Sequence, residues 1–298
     1  MRAANPKAAG PSIIPQTAHE DLFSLRGRTA VVTGGLGLLG RQFCNALLSA
    51  GANVIVADRE VDACIGFAEE LNAMSIPATT SDAPPPKAFG HAVDVTNTDS
   101  LIALREGTLG STGRLDILVN SAAIDDKFDG NGGADAARIE NYPLDLWQRA
   151  LLVNLTGTFL SCQVLGAAMV NAGRGSIVNI GSTYGMVGPD QRLYQRADGS
   201  QAFWKSPVYA ATKGGVLAFT RHVATSWADR GVRCNALCPG GVEAGQDQTF
   251  VRNYGARTPL GRMAHANEMQ GAVVFLASDA SAYMTGANLV VDGGWTAW

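Results

Sequence analysis

Several features that mark other protein classes are missing from this chain of 298 residues. Lys and Arg total 23 against 26 Asp and Glu, so the net charge is −3, and the cations are scattered rather than gathered in a stripe. This argues against nucleic acid or an anionic membrane as a partner and favours a small-molecule substrate. No apolar run approaches the length of a membrane span, and the first residues lack the basic-then-apolar order of a secretory signal. We therefore expect a cytoplasmic protein.

Paired cysteines and metal-binding spacings are missing as well. The five cysteines form no Cys-x-x-Cys pair and have no histidine near them at metal spacing. Reduced, mostly buried thiols and no metal site are expected. Glycine, in contrast, is abundant at 35 residues, which predicts many backbone positions with unusual dihedral angles or close approach. Phosphate-binding loops are one cause of such an abundance.

The order of the segments predicts one α/β domain after a flexible leader. Residues 1–20 mix Ala, Pro, Gly and polar residues without a helical or strand period, so we assign the domain to residues 21–298. Short β-branched runs then alternate with amphipathic segments of helix length, which is typical of a parallel sheet. The predicted strands are 29–33, 53–57, 89–93, 117–120, 177–180, 232–237 and 289–291. Seven strands fit a doubly wound Rossmann sheet with helices on both faces.

Three stretches interrupt this alternation. Residues 79–87 contain three successive prolines and must form an irregular surface loop. Residues 125–141, rich in Gly, Asp and Asn, predict a long loop after the fourth strand. Residues 183–207, called the insertion below, are long for a connection from a strand to a helix. The last two leave the carboxyl ends of strands, where open α/β sheets bind their ligands.

A glycine pattern follows the first strand and opens a helix. Residues 33–40 read Thr-Gly-Gly-Leu-Gly-Leu-Leu-Gly, with glycines at 34, 37 and 40 in Gly-x-x-Gly-x-x-Gly spacing. Such a turn lets the backbone approach a pyrophosphate, and the helix amino end offers free N–H groups and a positive dipole. A glycine-rich turn without a ligand is the alternative.

Asp58 ends the second strand eighteen residues after Gly40. A carboxylate there would accept hydrogen bonds from both ribose hydroxyls and repel a 2′-phosphate, which favours NAD over NADP. Arg59 follows directly, and an arginine at this turn can instead cover a 2′-phosphate, so NADP stays open.

Tyr209 and Lys213 stand four residues apart in a predicted helix and therefore share one face. Tyrosine titrates near ~10, so acid/base chemistry near neutral pH needs a positive neighbour such as Lys213 or a bound oxidised nicotinamide. Taken alone, this spacing is common by chance and favours an ordinary amphipathic helix with a surface Tyr and Lys.

In their order along the chain, these motifs resemble those of the short-chain dehydrogenase/reductase family, from about Leu25 to Trp298. Further marks of the resemblance are Asp94-Val95, Val119-Asn120-Ser121-Ala122-Ala123, Asn154 in Val-Asn-Leu-Thr-Gly, Ser182 in Asn-Ile-Gly-Ser, Pro239-Gly240 and Val291-Asp292-Gly293-Gly294. The Gly34-x-x-Gly37-x-x-Gly40 spacing is similar to that of the extended branch, which includes sugar-nucleotide epimerases. The last predicted strand leads directly into Val-Asp-Gly-Gly, which favours the compact branch.

The resemblance implies Tyr209 as general acid/base, Ser182 on the substrate oxygen, Lys213 on the nicotinamide ribose lowering the phenol pKa, and Asn154 supporting a proton-relay water. Asp94 and Val95 would border the adenine. From the residues alone, Ser182 could instead satisfy a turn, Asn154 could mark a helix kink or be a buried amide, and Asn120 could be a strand cap. The implied cofactor contacts are Gly34, Gly37, Leu38, Leu39, Gly40, Asp58, Arg59, Asp94, Val95, Asn120, Ala122, Tyr209, Lys213, Pro239, Gly240 and Val242.

The 27 residues from Ser182 to Tyr209 are about twice the family's usual spacing, and the insertion is rich in charge. A polyhydroxylated or anionic substrate such as a sugar or sugar acid is favoured, with Tyr184, Arg192, Arg196 or Lys205 as contacts. Solvated surface charges are the alternative. A second substrate loop is predicted at 241–257.

These features predict an NAD-dependent oxidoreductase that interconverts a secondary alcohol and a ketone, similar to gluconate 5-dehydrogenases. The alternatives are an NADP-dependent carbonyl reductase of a less polar ketone, an epimerase with tightly held NAD, and a non-catalytic nucleotide-binding regulator. Apolar residues on more than one face of the helices around 144–172 and 209–230, together with the family resemblance, predict a homotetramer or homodimer. Trp295 and Trp298 are too apolar for a free tail.

Overall fold

Seven parallel strands form the central sheet of the structure, a computed structural model that describes residues 22–74, 85–125, 134–196 and 198–298. The strands are β1 Thr29–Thr33, β2 Asn53–Asp58, β3 Ala88–Ala92, β4 Ile117–Asn120, β5 Gly175–Ile180, β6 Val232–Pro239 and β7 Asn288–Val291. Their order in the sheet is β3-β2-β1-β4-β5-β6-β7. The predicted doubly wound parallel sheet is confirmed, and each predicted strand end lies within two residues of its observed position.

Helices connect the strands and cover both faces of the sheet. They are α1 Leu38–Ser49, α2 Val61–Ala73, α3 Thr98–Thr112, α4 Leu144–Ala172, α5 Pro207–Trp227, α6 Gln248–Arg257 and α7 Gln270–Ala277. Pro207 stands at the start of α5, where its missing N–H leaves no helical hydrogen bond unmade. Helix α3 begins at an Asn97 cap that accepts the Ser100 N–H.

Adjacent residues of the central strands point to opposite faces, so each face receives its own apolar row. Val31, Leu118 and Ile177 are register partners and belong to one core cluster. Their neighbours Val32, Val119 and Val178 form the matching row of the other cluster. Burial on both faces explains why these strands are continuous β-branched runs without alternating polar residues.

Helix α4 is interrupted by two π-helical segments, Leu151–Thr156 and Cys162–Gly166. By length and composition α4 could cross a membrane, with a mean hydropathy of 1.5, although half of its apolar window is buried within the protein. A core helix of a sheet protein satisfies the same criterion. The π segments matter more, because they occur frequently at functional sites and the first one contains Asn154.

All three interruptions lie partly outside the described residues, the insertion only at residue 197, and the predicted leader at 1–20 lies wholly outside them. Of the loop predicted at 79–87, residues 85–87 are described and lead into β3. The loop predicted at 125–141 contains the short 3₁₀ helix Ala134–Ala137. The insertion holds two further 3₁₀ helices, Thr183–Gly185 and Gln191–Tyr194, and a bridge between Gln195 and Gln201.

Candidate active site

A cavity of about 430 Å³ opens at the carboxyl edge of the sheet. Strands β1 and β4 are neighbours there while their chain connections run to opposite sides, so a crevice forms between the two loops that follow them. The walls come from the glycine turn, the ends of β4 and β5, the insertion, the start of α5, the loop after β6 and helix α6. Its size lies in the range typical of small-molecule sites.

The glycine turn forms one end of this cavity, and its geometry requires glycine. Gly34 has a φ of 66°, and a Cβ atom there would lie 2.7 Å from the Ala122 backbone. A Cβ on Gly40 would lie 2.0 Å from the Gly34 carbonyl oxygen. Gly37 precedes α1 without a side-chain cap, and the first residues of the helix, Leu38 and Leu39, line the cavity. These free helix N–H groups fit a pyrophosphate, so the residues present fit a dinucleotide.

Asp58 lies at the end of β2 beside this turn. Its Oδ2 accepts the Leu36 N–H at 3.1 Å and its Oδ1 accepts the Arg59 N–H at 2.8 Å. Each carboxylate oxygen therefore keeps capacity for a further donor such as a ribose hydroxyl. The Arg59 side chain is exposed, and its charge lowers the pKa of the Asp94 carboxyl.

Asp94 and Val95 follow β3 at the same edge of the sheet. The Asp94 carboxylate accepts hydrogen bonds from the Thr96 hydroxyl at 2.7 Å and the Thr96 N–H at 2.9 Å, and these lower its pKa. Val95 is buried, and a Cβ on Gly157 of α4 would lie 2.7 Å from its side chain. The hydrogen bonds between Asp94 and Thr96 fix this turn, which the resemblance implies would border the adenine.

The Asn120 side chain belongs to a buried hydrogen-bond network. Its Nδ2 donates to Asn179 Oδ1 at 2.8 Å and to Cys162 Sγ at 3.3 Å, in a buried network between β4, β5 and α4. The side chain is turned away from the cavity because this network holds it, so a cofactor contact here can come only from the backbone. Ala122 lies against Gly34, and its neighbours Ser121 and Ala123 line the cavity.

Tyr209, in the first turn of α5, is half-buried on the cavity wall. Burial raises the pKa of its phenol to about 12 and the charge of Asp125 adds to the rise, whereas a hydrogen bond with the Ser182 side chain lowers it. The net direction is opposite to the lowering predicted from Lys213. The Lys213 ammonium stands 5.7 Å from the centroid of the Tyr209 ring, so burial dominates the pKa in this arrangement.

Lys213 lies one turn further along α5 and is buried. Its ammonium donates to the Ile180 carbonyl at the end of β5 at 2.7 Å. Burial lowers the pKa of this amine to about 8. Lys213 faces the cavity beside the phenol.

Ser182 and Tyr184 follow β5 in a 3₁₀ turn. The Ser182 hydroxyl accepts the Tyr184 N–H at 3.1 Å, which is the turn-satisfying role considered as an alternative, and the same side chain also reaches Tyr209. The Tyr184 hydroxyl pairs with that of Tyr194 at 3.3 Å, and burial raises the pKa of Tyr184. Both Ser182 and Tyr184 line the cavity.

Asn154 is a buried amide of α4 that links the loop after β4 to helix α5. Its Oδ1 accepts the Ile124 N–H at 2.8 Å, and its Nδ2 donates to the Ile124 carbonyl at 2.9 Å and the Thr212 hydroxyl at 3.3 Å. The side chain thus fixes the loop after β4 against α5. These contacts are those of a buried amide, and the proton-relay role implied by the resemblance stays a prediction.

The structure separates the four substrate contacts predicted from sequence. Tyr184 and Lys205 line the cavity, whereas Arg192 and Arg196 do not. The Arg192 guanidinium pairs with Asp190 at 2.9 Å and its side chain is 72% exposed. Arg196 donates to the Gln201 carbonyl at 3.1 Å within the surface turn. These two arginines stabilise the insertion at its surface because partners inside the insertion hold their guanidinium groups.

The insertion packs into a small aromatic core of its own with the second loop. Tyr194 stacks on Phe250 with ring centroids 5.2 Å apart, and Tyr254 stacks on Trp295 at 4.3 Å. The Tyr254 hydroxyl also accepts the Gly241 N–H at 2.5 Å. Trp295 is therefore buried within its own chain, whereas Trp298 is 80% exposed. The end of β6 and the start of the second loop line the cavity beside this core with Pro239, Gly240, Gly241 and Val242.

Asp125 was missed among the candidate site residues. It stands directly after the Asn120–Ile124 segment, lines the cavity and forms an ion pair with Lys205. The sequence signal for Asp125 was its position at the start of the predicted loop at 125–141, which leaves the carboxyl end of β4. Among the described residues, no group of three His, Cys, Asp or Glu side chains could hold a metal ion.

The sequence of this chain is similar to a family model and to several named enzymes. The family model described as enoyl-(acyl carrier protein) reductase matches residues 38–296. D-threitol dehydrogenase of Mycolicibacterium smegmatis is 34% identical over 92% of this chain and 95% of its own length. The L-tagatose-forming galactitol 2-dehydrogenase of Cereibacter sphaeroides is 33% identical over 94% of this chain and 99% of its own.

A solved structure shows the same fold with ligands. Gluconate 5-dehydrogenase from Burkholderia cenocepacia, in complex with NADP and tartrate, superposes with a TM-score of 0.79 at 29% identity, over 94% of this chain and 99% of that one. The chain with its ordered glycine turn, Ser182, Tyr209 and Lys213 is an oxidoreductase that belongs to the short-chain dehydrogenase/reductase family.

Proposed function

We propose that this protein oxidises a secondary alcohol of a polyol or related polar hydroxy compound to the ketone, with NAD as the hydride acceptor. The observation that carries the proposal is the placement of Tyr209 on the cavity wall, with Ser182 and Lys213 beside it and the glycine turn at the other end. The charged side chains of Asp125 and Lys205 on the cavity wall and the polyol names of the relatives support a hydroxylated substrate.

The residues of this chain divide the work as follows. The glycine turn, the first residues of α1 and Asp58 would hold the dinucleotide, which supplies the hydride acceptor when bound. Ser182 donates a hydrogen bond to the substrate oxygen and orients the hydroxyl toward Tyr209. The Tyr209 Oη takes the hydroxyl proton in oxidation and returns it in reduction. Lys213, as an ammonium, favours the phenolate form of Tyr209.

The pKa of Tyr209 sets the direction of the pH dependence. With its phenol pKa raised to about 12, the basic form is scarce at neutral pH. Alcohol oxidation should therefore accelerate as pH rises, and a positive nicotinamide near the phenol would move that rise to lower pH.

The activity is tested with a panel of polyols, aldonic acids and simple aliphatic alcohols, each run with NAD and with NADP. We expect cofactor reduction with polyhydroxylated substrates and a higher kcat/KM with NAD. Absence of net cofactor reduction across the whole panel would favour the non-catalytic alternative. A preference for an apolar ketone with NADPH would favour the carbonyl reductase alternative.

The preference for NAD is supported by Asp58, whose charge would repel a 2′-phosphate. Replacing it in Asp58→Ser should shift the NADP/NAD ratio of kcat/KM upward by about tenfold or more, because the repulsion and a charge-assisted hydrogen bond are both lost. Dissociation constants of NADH and NADPH, measured by fluorescence titration, should change in the same direction.

Asp58→Asn is the matched control for this variant, because its amide oxygen can still accept the Leu36 N–H that braces the turn. It should weaken discrimination against NADP with little loss of stability. Tighter binding of NADPH than NADH by the wild-type protein would contradict the assigned role of Asp58. The cytoplasmic location and the homotetramer or homodimer stay predictions.

A further inference from the structure

Asp125 and Lys205 form an ion pair on the wall of the cavity, next to the reacting tyrosine. They come from segments far apart in sequence, the loop after β4 and the end of the insertion. The Lys205 side chain is 14% exposed and that of Asp125 is 40% exposed. Because both side chains face the cavity, a bound substrate would meet the pair directly.

Hydrogen bonds from neighbouring side chains to the backbone fix the positions of both members of the pair. The buried Asn154 side chain makes two hydrogen bonds to the backbone of Ile124, the residue before Asp125. The Gln191 side chain accepts the Lys205 N–H at 2.8 Å and donates to the Lys205 carbonyl at 3.3 Å. The insertion therefore delivers Lys205 to a fixed position, and its ammonium stands 4.2 Å from the centroid of the Tyr209 ring.

Within the charged lining of the cavity, Asp125 is the partner of Lys205. Of the described residues that line it, three are charged, namely Asp125, Lys205 and Lys213. The Lys213 ammonium already donates to the Ile180 carbonyl. A substrate carboxylate would thus compete with Asp125 for Lys205 and would stand close to the Asp125 carboxylate, which is repulsive. Neighbouring hydroxyl groups, in contrast, can donate to Asp125 and accept from Lys205.

We propose that the Asp125–Lys205 pair determines the substrate class by selecting an uncharged polyol over the corresponding carboxylic acid. This inference rests on the proposed function. Asp125 supplies an acceptor for one hydroxyl and Lys205 a donor for the next, while Asp125 keeps Lys205 from acting as a free anion receptor. The relatives act on both kinds of compound by name, so the choice between them is a property that individual residues must set.

The test compares matched pairs that differ only at one terminal carbon, galactitol with galactonate and threitol with threonate. For the wild-type protein we expect a higher kcat/KM for the alditol of the productive pair and weak inhibition by tartrate. Asp125→Asn keeps the shape of the side chain and releases Lys205. It should raise the aldonate/alditol ratio of kcat/KM by about tenfold and strengthen inhibition by tartrate in proportion.

The pH profile separates a direct role from a structural one. The titratable and polar groups around Tyr209 are Asp125 after β4, Lys205 of the insertion, Ser182 and Tyr184 after β5, Tyr254 of α6, and Lys213 on its own helix. Removal of the negative charge in Asp125→Asn should shift the rise of kcat/KM with pH to lower pH. Lys205→Met leaves Asp125 unpaired and should shift it to higher pH. Mere loosening of the loops would not move the two variants in opposite directions.

Arg192→Met is the matched control, because it removes a cation of the same insertion that lies outside the cavity. It should leave the aldonate/alditol ratio and the pH profile unchanged. The inference is overturned, with the proposed function intact, if the wild-type protein prefers aldonates or if Asp125→Asn leaves the ratio unaltered. If no alditol or aldonate is turned over, the proposed function fails and this inference fails with it.

Discussion

Replacement of Tyr209 by phenylalanine should lower kcat by roughly a thousandfold while the dinucleotide still binds, because general acid/base catalysis contributes on that order. The phenyl ring preserves the packing at the start of α5 and the contact of Lys205 with the ring face, so only the proton-transferring oxygen is lost. Steady-state kinetics with the best alcohol of the panel give the loss in kcat. Fluorescence titration with NADH gives the retained affinity.

Tyr184→Phe is the matched control for this experiment. It also deletes a phenol oxygen from the cavity wall, but that oxygen is paired with the Tyr194 hydroxyl rather than with Ser182. We expect a loss far smaller than that of Tyr209→Phe. Comparable activity of Tyr209→Phe and the wild-type protein would refute the assignment of the general acid/base.

Gly40→Ala should destabilise the protein by roughly 2 kcal/mol or more and abolish tight dinucleotide binding, because overpacked positions cost on this scale. The added Cβ would lie 2.0 Å from the Gly34 carbonyl oxygen and 2.9 Å from the Gly35 Cα, so the turn and the start of α1 must separate. Since the clash is with backbone, no side-chain rearrangement can relieve it. Chemical denaturation and NADH titration measure the two effects.

Gly66→Ala offers the comparison, because Gly66 also lies inside a helix but has no atom within 4 Å of its added Cβ. This variant should be more stable by about 0.5–1 kcal/mol, since alanine loses less backbone entropy in a helix. Equal stability of the two alanine variants would show that the close packing of Gly40 on the turn is unimportant.

The sheet could be predicted from sequence because its determinants are local. Strands buried on both faces require continuous apolar β-branched runs, and the runs that lead to Thr33 and Asn120 end where polar residues begin. The glycine turn was equally predictable, since a positive φ at Gly34 and contact at Gly40 exclude side chains. The contact between Gly40 and Gly34 lies within six residues of sequence.

The roles of the charged residues could not be predicted in this way, because they depend on which partner folding brings near. Arg192 and Lys205 are both cations of the insertion, yet Asp190 holds the first at the surface and Asp125 meets the second in the cavity. The phenol pKa of Tyr209 likewise reflects burial and Asp125 more than the four-residue spacing to Lys213. Similarly, no local pattern indicates that Asn120 would bond to Asn179.

The aromatic core between the insertion and the second loop limits how substrate scope can be re-engineered. Tyr194 of the insertion stacks on Phe250 of α6, and Tyr254 of the same helix stacks on Trp295 after β7. A chimaera that receives only a relative's insertion would leave these rings facing unsuited neighbours. Chimaeras should therefore exchange the insertion, α6 and the segment around Trp295 together, and should leave the sheet and the glycine turn unchanged.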